Sequence, residues 1–346
     1  MNKKRYTLKD IAELAEVSRG TVDRVINNRG MVSVSARQKV ENVLDKIEYR
    51  PNILAQSLKG HRTNTIAIVF PNYQKEPYWK QCFEGIKKAE LEMSQFGISC
   101  SFYFYVPEKE DYEESFSRAL KNKPNAILAV PMEFQNSIDF IKEAKIQKIP
   151  LVLLNSSLKG DGTTTFLGQD YFKSGRTAAQ LMSSLIQPAE NKNVLIIHFG
   201  RKSENTSHLF EKEKGFIQYF KDKNIEVAVN IINFEKSINL ATLQKILITV
   251  HGVYITTSKS YLIAEHLKHY KELKVIGYDL IPENIAYLKE GTIDVLLHQN
   301  PKKQGNKGVL FLSDHLIYKK PMQTLKLFPI DIIIKENVES FIKEDN

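Results

Sequence analysis

Residues 7–30, TLKDIAELAEVSRGTVDRVINNRG, contain two short helical patterns on either side of Ser18. Thr7-Leu8-Lys9-Asp10 has the form of a capping box, with an aspartate in the acidic position. Ser18 can begin the second helix, because its hydroxyl can accept from a free backbone N–H in the first turn. The apolar residues of both patterns fall at helical spacing: they are Leu8, Ile11, Ala12, Leu14 and Ala15, then Val22, Val25 and Ile26.

A third helical pattern follows, with Ser33 or Ser35 as its expected cap and with Val40, Val43, Leu44 and Ile47 on its apolar side. Helices this short are not stable alone in water, so they must stabilise one another. Two short helices joined by a tight turn and supported by a third predict a helix-turn-helix, whose second helix enters the DNA major groove. The alternative is a small surface hairpin of helices with solvated arginines.

The second helix carries the side chains expected to contact DNA. Arg19 stands near its start, and an arginine can donate to O6 and N7 of one guanine together. Thr21 and Asn27 are suited to phosphate oxygens. The predicted DNA contacts of this segment are Thr7, Ser18, Arg19, Gly20, Thr21, Asp23, Arg24 and Asn27.

Charge is concentrated in the same segment. Of the net +9, residues 1–62 contribute +6, from 13 Lys/Arg and 7 Asp/Glu, and the remaining 284 residues contribute +3. A small basic module on a nearly neutral body suggests a polyanionic partner, with nucleic acid first.

Other features narrow the class of protein. No run approaches the roughly 20 apolar residues of a membrane span, and no apolar stretch follows the basic N-terminus as in a secretory signal. Cys82 and Cys100 are too few for a disulfide scaffold and are expected to be free thiols. These features predict a cytoplasmic protein without membrane contact.

The opening stretch resembles the lactose-repressor (LacI/GalR) family of bacterial transcription regulators, whose pattern is T-L-x-D-[IV]-A-x-x-A-G-V-S-x-x-T-V-S-R-V-L-N. Two residues differ from that pattern. Glu16 replaces the turn glycine, so we expect a turn that manages without easy access to positive φ. Asp23 replaces a serine, and it can either pair with Arg19 one turn earlier or accept from a cytosine amine.

Residues 50–60, RPNILAQSLKG, resemble the hinge helix of that family, which orders on operator DNA as a dimer. The resemblance implies DNA contacts from Asn52, Ala55, Leu58 and Lys59, with Leu58 as a wedge in the minor groove. Unstacking a base step costs about a few kcal/mol and is offset by the contacts that the bend allows. The alternative for Leu58 is packing of the linker against the body.

From Thr65 onward, apolar runs such as TIAIVF, AILAVP, PLVLLN, NVLIIHF and KVIGYD alternate with helical patterns. Such runs predict parallel strands buried on both faces. The fold class predicted is therefore an all-α helix-turn-helix domain (1–50) and hinge helix (51–62), then an α/β body (63–346) with doubly wound parallel sheets. Its two lobes are expected to span 63–168 with 299–328, and 169–298 with 329–346.

Polar and aromatic side chains follow the strands of this body. In doubly wound sheets, ligands bind at the C-terminal ends of the strands. Flat aromatics surrounded by carboxylates and amides suit a sugar, since its ring stacks and its hydroxyls bond to fixed polar groups. The residues at these positions are Tyr78, Trp79, Asn155, Asp170, Asp279 and Gln299. Each also has a structural alternative, as core (Tyr78, Trp79) or as a helix cap (Asp170, Asp279).

The body is similar to the ribose-binding-protein type of periplasmic binding fold, which forms the effector domain of LacI/GalR regulators. The resemblance implies sugar contacts from Tyr78, Trp79, Asp279 and Gln299, and it places Lys212 where an arginine is common and Thr257 in an altered loop. It also implies operator DNA, a small effector (sugar, polyol or sugar acid) and a second copy of the chain as partners. Because several polar positions differ, we expect an untypical ligand.

Two other functions share parts of this pattern. A periplasmic-type sugar receptor would have the same body but no use for a helix-turn-helix. A carbohydrate-active enzyme could use Asp170 and Asp279 as paired carboxylates. The chain lacks the G-x-S-x-G, Walker A, G-x-G-x-x-G and HExxH motifs, and His198, His251 and His298 are interpreted as structural, without a paired nucleophile. No catalytic residue, metal site or cofactor is predicted.

Overall fold

The computed structural model describes residues 6–26, 30–47, 63–106, 111–131, 135–156, 165–186, 191–200, 207–234, 240–322 and 325–345. Contacts divide the chain into two units, Met1–His61 and Arg62–Asn346. The predicted DNA contacts Asn27, Asn52, Ala55, Leu58 and Lys59 lie outside the described residues. The domain limits given above stay a prediction.

The first unit contains three helices in its described part, α1 Leu8–Leu14, α2 Arg19–Ile26 and α3 Val34–Lys46. Ile11, Val22 and Val40 are fully buried, one from each helix. This shared core is what helices of seven, eight and thirteen residues need in order to be stable. The predicted helix-turn-helix is therefore confirmed.

The predicted caps are present at all three helix starts. Thr7 and Asp10 form the capping box, in which the Thr7 N–H donates to Asp10 Oδ2 at 2.7 Å and the Asp10 N–H donates to Thr7 Oγ1 at 3.3 Å. Ser18 Oγ accepts from the Thr21 N–H at 3.1 Å. Of the two serines considered for α3, Ser33 is the cap, since its Oγ accepts from the Ala36 N–H at 3.3 Å.

The turn between α1 and α2 corrects one expectation. Glu16 adopts φ 53°, so the turn uses positive φ although glycine is absent. A left-handed conformation costs a non-glycine residue roughly 1–2 kcal/mol. The Val17 N–H donates to the Ala12 carbonyl oxygen at 3.0 Å, and Ala12 and Ala15 are buried in the core beside the turn. Packing and hydrogen bonding of the turn therefore offset the strain at Glu16.

The body is built on two six-stranded sheets within its described residues. The first sheet has the order β11-β5-β4-β3-β1-β2 and the second β12-β10-β9-β8-β6-β7. All pairs are parallel except β10 with β12. The strands are β1 Asn64–Pro71, β2 Ile98–Tyr105, β3 Ala126–Ala129, β4 Leu151–Leu154, β5 Thr165–Gly168, β6 Asn193–Phe199, β7 Ala228–Phe234, β8 Gly252–Ile255, β9 Lys274–Tyr278, β10 Val295–His298, β11 Leu325–Leu327 and β12 Asp331–Ile333.

Helices connect these strands, and the chain crosses between the sheets after β5, β10 and β11. This is the predicted two-lobe α/β fold; lobe 1 contains the first sheet and lobe 2 the second. The helices are α4 Pro77–Ser94, α5 Tyr112–Lys121, α6 Gln135–Ile146, α7 Tyr171–Leu185, α8 Ser207–Asp222, α9 Leu240–Leu247, α10 Tyr261–Leu267, α11 Pro282–Glu290, α12 Pro301–Tyr318 and α13 Val338–Asp345. Within the described part of the chain, no helix combines the length and the apolar character that crossing a bilayer requires.

A glycine at one helix contact brings two backbones unusually close. A Cβ added at Gly175 on α7 would lie 1.9 Å from the carbonyl oxygen of Lys212 on α8. Such a distance is shorter than any real van der Waals contact, so glycine is required here. The close approach fixes the position of Lys212 relative to α7.

Candidate functional site

The predicted DNA contacts of α2 begin in its first turn. Arg19 and Gly20 are exposed there, and Ser18 Oγ also lies 2.9 Å from Thr21 Oγ1. Arg24 donates its Nε–H to the carbonyl oxygen of Gly20 at 3.1 Å, so its side chain runs back along the helix. Arg19 therefore stands at the helix end that a helix-turn-helix presents to base edges, and the side chain of Arg24, from the last turn of α2, reaches back toward that end.

In the body, Asp279 and Gln299 form a buried pair at the ends of β9 and β10. Asp279 is fully buried, and its two carboxylate oxygens accept from the Gln299 N–H at 2.8 Å and from Gln299 Nε2 at 2.6 Å. His298 Nδ1 lies 3.5 Å from Asp279 Oδ1. A buried carboxylate needs such donors, because desolvation without them is costly. The pair fixes the ends of both strands.

Asn155 occupies the corresponding place in lobe 1, at the end of β4. Asn155 and Asp279 both have positive φ, 64° and 65°, which asparagine and aspartate tolerate better than most residues. Tyr171, at the start of α7, donates its hydroxyl to both the main-chain carbonyl oxygen and Oδ1 of Asn155. This contact joins lobe 1 to lobe 2, and the sequence analysis did not identify Tyr171.

Lys212 is a buried cation close to this contact. It is 1% exposed, donates from Nζ to the Thr256 carbonyl oxygen at 2.8 Å, and places Nζ 3.6 Å from the centre of the Tyr278 ring and 5.3 Å from that of Tyr171. Burial lowers the pKa of Lys212 to about 7, against an opposing attraction from Asp279. The aromatic rings supply a favourable cation–π contact but no counter-charge.

Tyr78 extends the cluster from lobe 1. It is buried at the start of α4, and its pKa is raised well above the usual range, first by burial and then by the nearby charge of Asp279. Gln304 on α12 opposes that shift through a side-chain hydrogen bond. Gln304 is almost fully buried, and its Oε1 has no donor within the described residues. Sequence reasoning missed Gln304 because a glutamine inside a helix carries no distinguishing signal.

The remaining predicted effector contacts lie in varied surroundings. Trp79 is half-buried and packs edge-on against Phe70 and Tyr78, with ring centres 5.3 and 4.9 Å away. Asp170 caps α7, since its Oδ1 accepts from the Lys173 N–H at 2.9 Å. Thr257 Oγ1 accepts from the Lys259 N–H at 3.3 Å. Trp79 therefore lies partly in the core, and Asp170 is a helix cap. The roles of both residues toward a ligand stay predictions.

Two further contacts join the lobes. Lys259 Nζ of lobe 2 pairs with Glu76 Oε1 of lobe 1 at 2.9 Å, with both side chains about one-third exposed. Gln81 Nε2 on α4 donates to the Leu280 carbonyl oxygen at 2.7 Å. An exposed pair contributes little energy, but all these contacts exist only while the lobes face each other in this arrangement.

The histidines need one correction. His198 does have a hydroxyl partner: Nδ1 lies 2.7 Å from Thr256 Oγ1, while Nε2 lies 2.8 Å from Glu213 Oε2. The arrangement has the components of a catalytic triad. However, Thr256 Oγ1 also donates to the Ile197 carbonyl oxygen at 3.3 Å, so a main-chain acceptor engages the hydroxyl that a triad would need for attack. The three side chains hold α8 against β6 and the end of β8.

The low pKa of Lys212 makes the stability of the body depend on pH. The folded-state pKa, about 7, lies below the ordinary value of 10.5. Between these values the unfolded chain binds a proton that the folded chain does not, so the free energy of unfolding rises with pH. Relative to Lys212→Met, we expect the wild type to gain up to about 1.4 kcal/mol per pH unit above about pH 7.

Urea unfolding followed by Trp79 fluorescence measures this difference at about pH 6.5, 7.5 and 8.5, which lie below and above the folded-state pKa of Lys212, about 7. Comparison with Lys212→Met is necessary because burial also raises the pKa values of Cys82 and Cys100. Their thiols lose protons first in the unfolded chain, which lowers stability at higher pH in both proteins. Parallel pH dependences of the two proteins would contradict the prediction.

Comparison with known proteins assigns both units. Residues 66–320 match the model of the periplasmic binding protein domain, and residues 7–52 match that of the bacterial regulatory proteins of the lacI family. The transcriptional repressor PurR of Actinobacillus pleuropneumoniae is 24% identical over 97% of this chain and 99% of its own length. The regulator DegA of Bacillus subtilis is 35% identical, but the match covers only 44% of either chain.

A solved structure extends the comparison. A crystal structure from Bacteroides fragilis assigned to the LacI transcriptional regulators superposes with a TM-score of 0.74 at 25% identity, covering 81% of this chain and 99% of that one. The likeness therefore includes the two-lobe body in which Asn155, Lys212, Asp279 and Gln299 lie.

Proposed function

Because the chain belongs to the LacI family of DNA-binding regulators and has a periplasmic binding protein domain as its body, we propose that a small polyhydroxylated effector held between the lobes sets its affinity for operator DNA. In this proposal the protein is a cytoplasmic repressor that regulates transcription. The lacI-type segment at residues 7–52 and the exposed Arg19 at the start of α2 support the DNA-binding half of the proposal.

One observation supports the effector part of the proposal: the strand ends of the two lobes meet. Asn155 of lobe 1 contacts Tyr171 of lobe 2, and Lys212 and Asp279 lie next to them. A molecule that contacts both lobes favours one lobe arrangement over another. It can shift the equilibrium only by its differential affinity for the two arrangements, typically about 1–3 kcal/mol.

The chemistry of the cluster supports a sugar-like effector. Amide and carboxylate groups of Asn155, Asp279, Gln299 and Gln304 are held in fixed positions by packing and hydrogen bonds. Fixed polar groups recognise hydroxyls specifically because little entropy is lost when they bind. The link to the operator is assigned to the hinge, with Leu58 as the minor-groove wedge; those residues lie outside the described part of the chain.

The proposal includes a homodimer, since one helix-turn-helix binds one half-site of a near-palindromic operator. Strand β2 is at the edge of the first sheet, and Phe102, Phe104, Tyr73 and Phe83 form a cluster of ring contacts beside it. Phe104 is 38% exposed there. Asn64, where β1 begins, is in register with Ile98 at the start of β2. A two-fold axis along this edge would bring the Asn64 residues of the two copies, where each chain enters its first sheet, close together.

Phe104→Asp tests this assembly. A carboxylate in the aromatic cluster would lose its hydration on association, so we expect a weaker dimer and, with it, weaker operator binding. Sedimentation equilibrium measures the monomer–dimer constant. Ile231→Asp is a matched control on the exposed edge strand β7 of the other sheet, where Ile231 is 46% exposed. A monomeric wild type, free and on DNA, would reject the dimer, and an unchanged constant for Phe104→Asp would reject this surface.

The test of the whole proposal uses Trp79, which is the only tryptophan in the chain. Sugars, polyols and sugar acids are titrated while Trp79 fluorescence is recorded, and any ligand that saturates is added to the operator complex. We expect a saturating ligand to change operator affinity by about 5- to 150-fold. A ligand that saturates without changing operator affinity would reject the regulatory role, and product formation from it would favour an enzyme.

A further inference from the structure

The residues that meet between the lobes, here called the interlobe cluster, are Tyr78, Asn155, Tyr171, Lys212, Asp279, Gln299 and Gln304. Among the charged groups of this cluster, Lys212 has the least compensated charge. Within the described residues, no carboxylate oxygen lies within 4.0 Å of its Nζ, and its hydrogen-bond acceptor is the neutral carbonyl of Thr256. An ammonium has three N–H donors, while a buried cation without an anionic partner is costly. In its protonated form the side chain therefore has donor capacity and positive charge that the protein does not use.

The other charged groups near the cluster are satisfied by protein partners. Both oxygens of Asp279 accept from Gln299, and Glu76 pairs with Lys259. Asp170 accepts the Lys173 N–H and lies 3.6 Å from Lys173 Nζ. Among these groups, Lys212 combines nearly complete burial with N–H donors that the described residues leave without an acceptor.

We propose that the effector carries a carboxylate and that Lys212 binds it, so that the ligand class is the sugar acids and not neutral sugars. This inference rests on the proposed function, because it assumes that the interlobe cluster is the effector site. A carboxylate supplies both the counter-charge and the acceptor that Lys212 lacks, and charge-assisted hydrogen bonds of this type are about twice as strong as neutral ones.

Asp279 does not prevent an anion from binding here. A carboxylate that contacts Lys212 Nζ from the side away from Asp279 is closer to the ammonium than to Asp279, whose oxygens are more than 4.0 Å from that nitrogen within the described structure. Coulomb energy falls with distance, so the contact attraction exceeds the longer-range repulsion. The carboxylate of Asp279 is also already stabilised by the two donors of Gln299.

The faces of Tyr278 and Tyr171 add selectivity. They lie 3.6 and 5.3 Å from Nζ, and they restrict the directions from which an acceptor can approach the ammonium. Tyr171 is at the same time held by Asn155 of lobe 1. A ligand that joins Lys212 to Asn155 therefore contacts both lobes, as an effector must.

The experiment compares sugars that differ only in the acid group. D-glucuronate with D-glucose, D-galacturonate with D-galactose, and D-gluconate with D-glucitol are titrated against the full chain, with Trp79 fluorescence and the thermal midpoint as readouts. We expect at least one acid to bind about tenfold or more tightly than its neutral partner, as a charged hydrogen bond implies. We expect Lys212→Met to abolish that preference and Lys212→Arg to retain part of it.

Lys259→Met is the matched control, because it removes a lysine at the lobe contact that already has a carboxylate partner; it should keep the preference for the acid. Neutral sugars binding as tightly as their acids, or Lys212→Met keeping the preference, would overturn the carboxylate assignment and leave the proposed function intact. No saturable binding of any of the six compounds would overturn both. The wild-type comparison decides the question even if Lys212→Met does not fold.

Discussion

Asp279→Ala is expected to lower the free energy of unfolding of the body by roughly 2–6 kcal/mol, because two buried donors lose their acceptor and each unsatisfied donor costs about 1–3 kcal/mol. Asp279 is fully buried, and both of its oxygens accept hydrogen bonds from Gln299. Alanine leaves these two donors unpaired and removes the negative charge that raises the pKa of Lys212. It also places a residue without a polar side chain at φ 65°, which costs roughly 1–2 kcal/mol more.

Asp279→Asn separates these contributions. Asparagine tolerates positive φ, and the Gln299 amide can rotate so that its oxygen accepts from the new Nδ2. The backbone and hydrogen-bonding losses are then largely avoided, and the loss of charge near Lys212 remains. We expect less than half the destabilisation of alanine, measured by urea unfolding with Trp79 fluorescence.

Combining Asp279→Asn with Lys212→Met should lower the free energy of unfolding by less than the sum of the two separate changes, because no uncompensated cation is left. Asp279→Ala within about 0.5 kcal/mol of the wild type, like an ordinary surface change, would show that the pair is not structural.

The strand ends could be identified from the sequence because a parallel sheet brings them to one edge. Apolar runs that end in Asn155 and Asp279 predict strands whose next residue faces the cleft, and the structure places both residues directly after β4 and β9. Their pairing partners follow from three-dimensional packing. Gln299 reaches Asp279 across twenty residues, a contact that the run DVLLHQ alone does not specify.

Residues on helices were harder to identify. Tyr171 and Gln304 belong to the cluster, but each lies at an ordinary position of a helix. Tyr171 is important only because Asn155 of the other lobe lies within reach of its hydroxyl. The partner of His198 was missed for the same reason, since Thr256 is 58 residues away and meets it through the pairing of β6 with β8. Helical periodicity predicts which face is buried, but not which polar group it meets.

The turn at Glu16 shows the limit of a residue-by-residue rule. Absence of glycine predicts avoidance of positive φ, yet Glu16 has φ 53°. The rule considers one residue, whereas the turn must place Ile11 and Val22 in a common core. Burial of a side chain of that size contributes about 1.5–3 kcal/mol, more than the conformational cost at one position. Tertiary packing therefore determines the backbone conformation here.

Arg19→Ala is expected to weaken binding to the specific operator by roughly 1–3 kcal/mol and to relax the preference for one base pair. Arg19 is the first residue of α2, and its side chain is exposed at the end that the second helix of a helix-turn-helix presents to the major groove. The operator is first selected from random duplexes with the wild-type protein, and both proteins are then titrated on it and on a scrambled sequence. Arg118→Ala, an exposed arginine of α5 in the body, removes the same charge and should leave both affinities nearly unchanged.

The two DNA sequences distinguish how Arg19 acts. A base contact is lost only on the operator, while a phosphate contact is lost equally on both sequences and lowers the salt dependence of binding by about one counterion. Asp23 lies one turn further along the same helix, and either an ion pair with Arg19 or a contact with cytosine is compatible with a base-specific role for Arg19. Asp23→Ser separates them: if Asp23 orients Arg19, the preference for guanine weakens, and if Asp23 contacts cytosine, the preference at a neighbouring base pair changes instead. Equal losses for Arg19→Ala on both duplexes would mean that Arg19 contacts only phosphate and that base specificity resides elsewhere on α2.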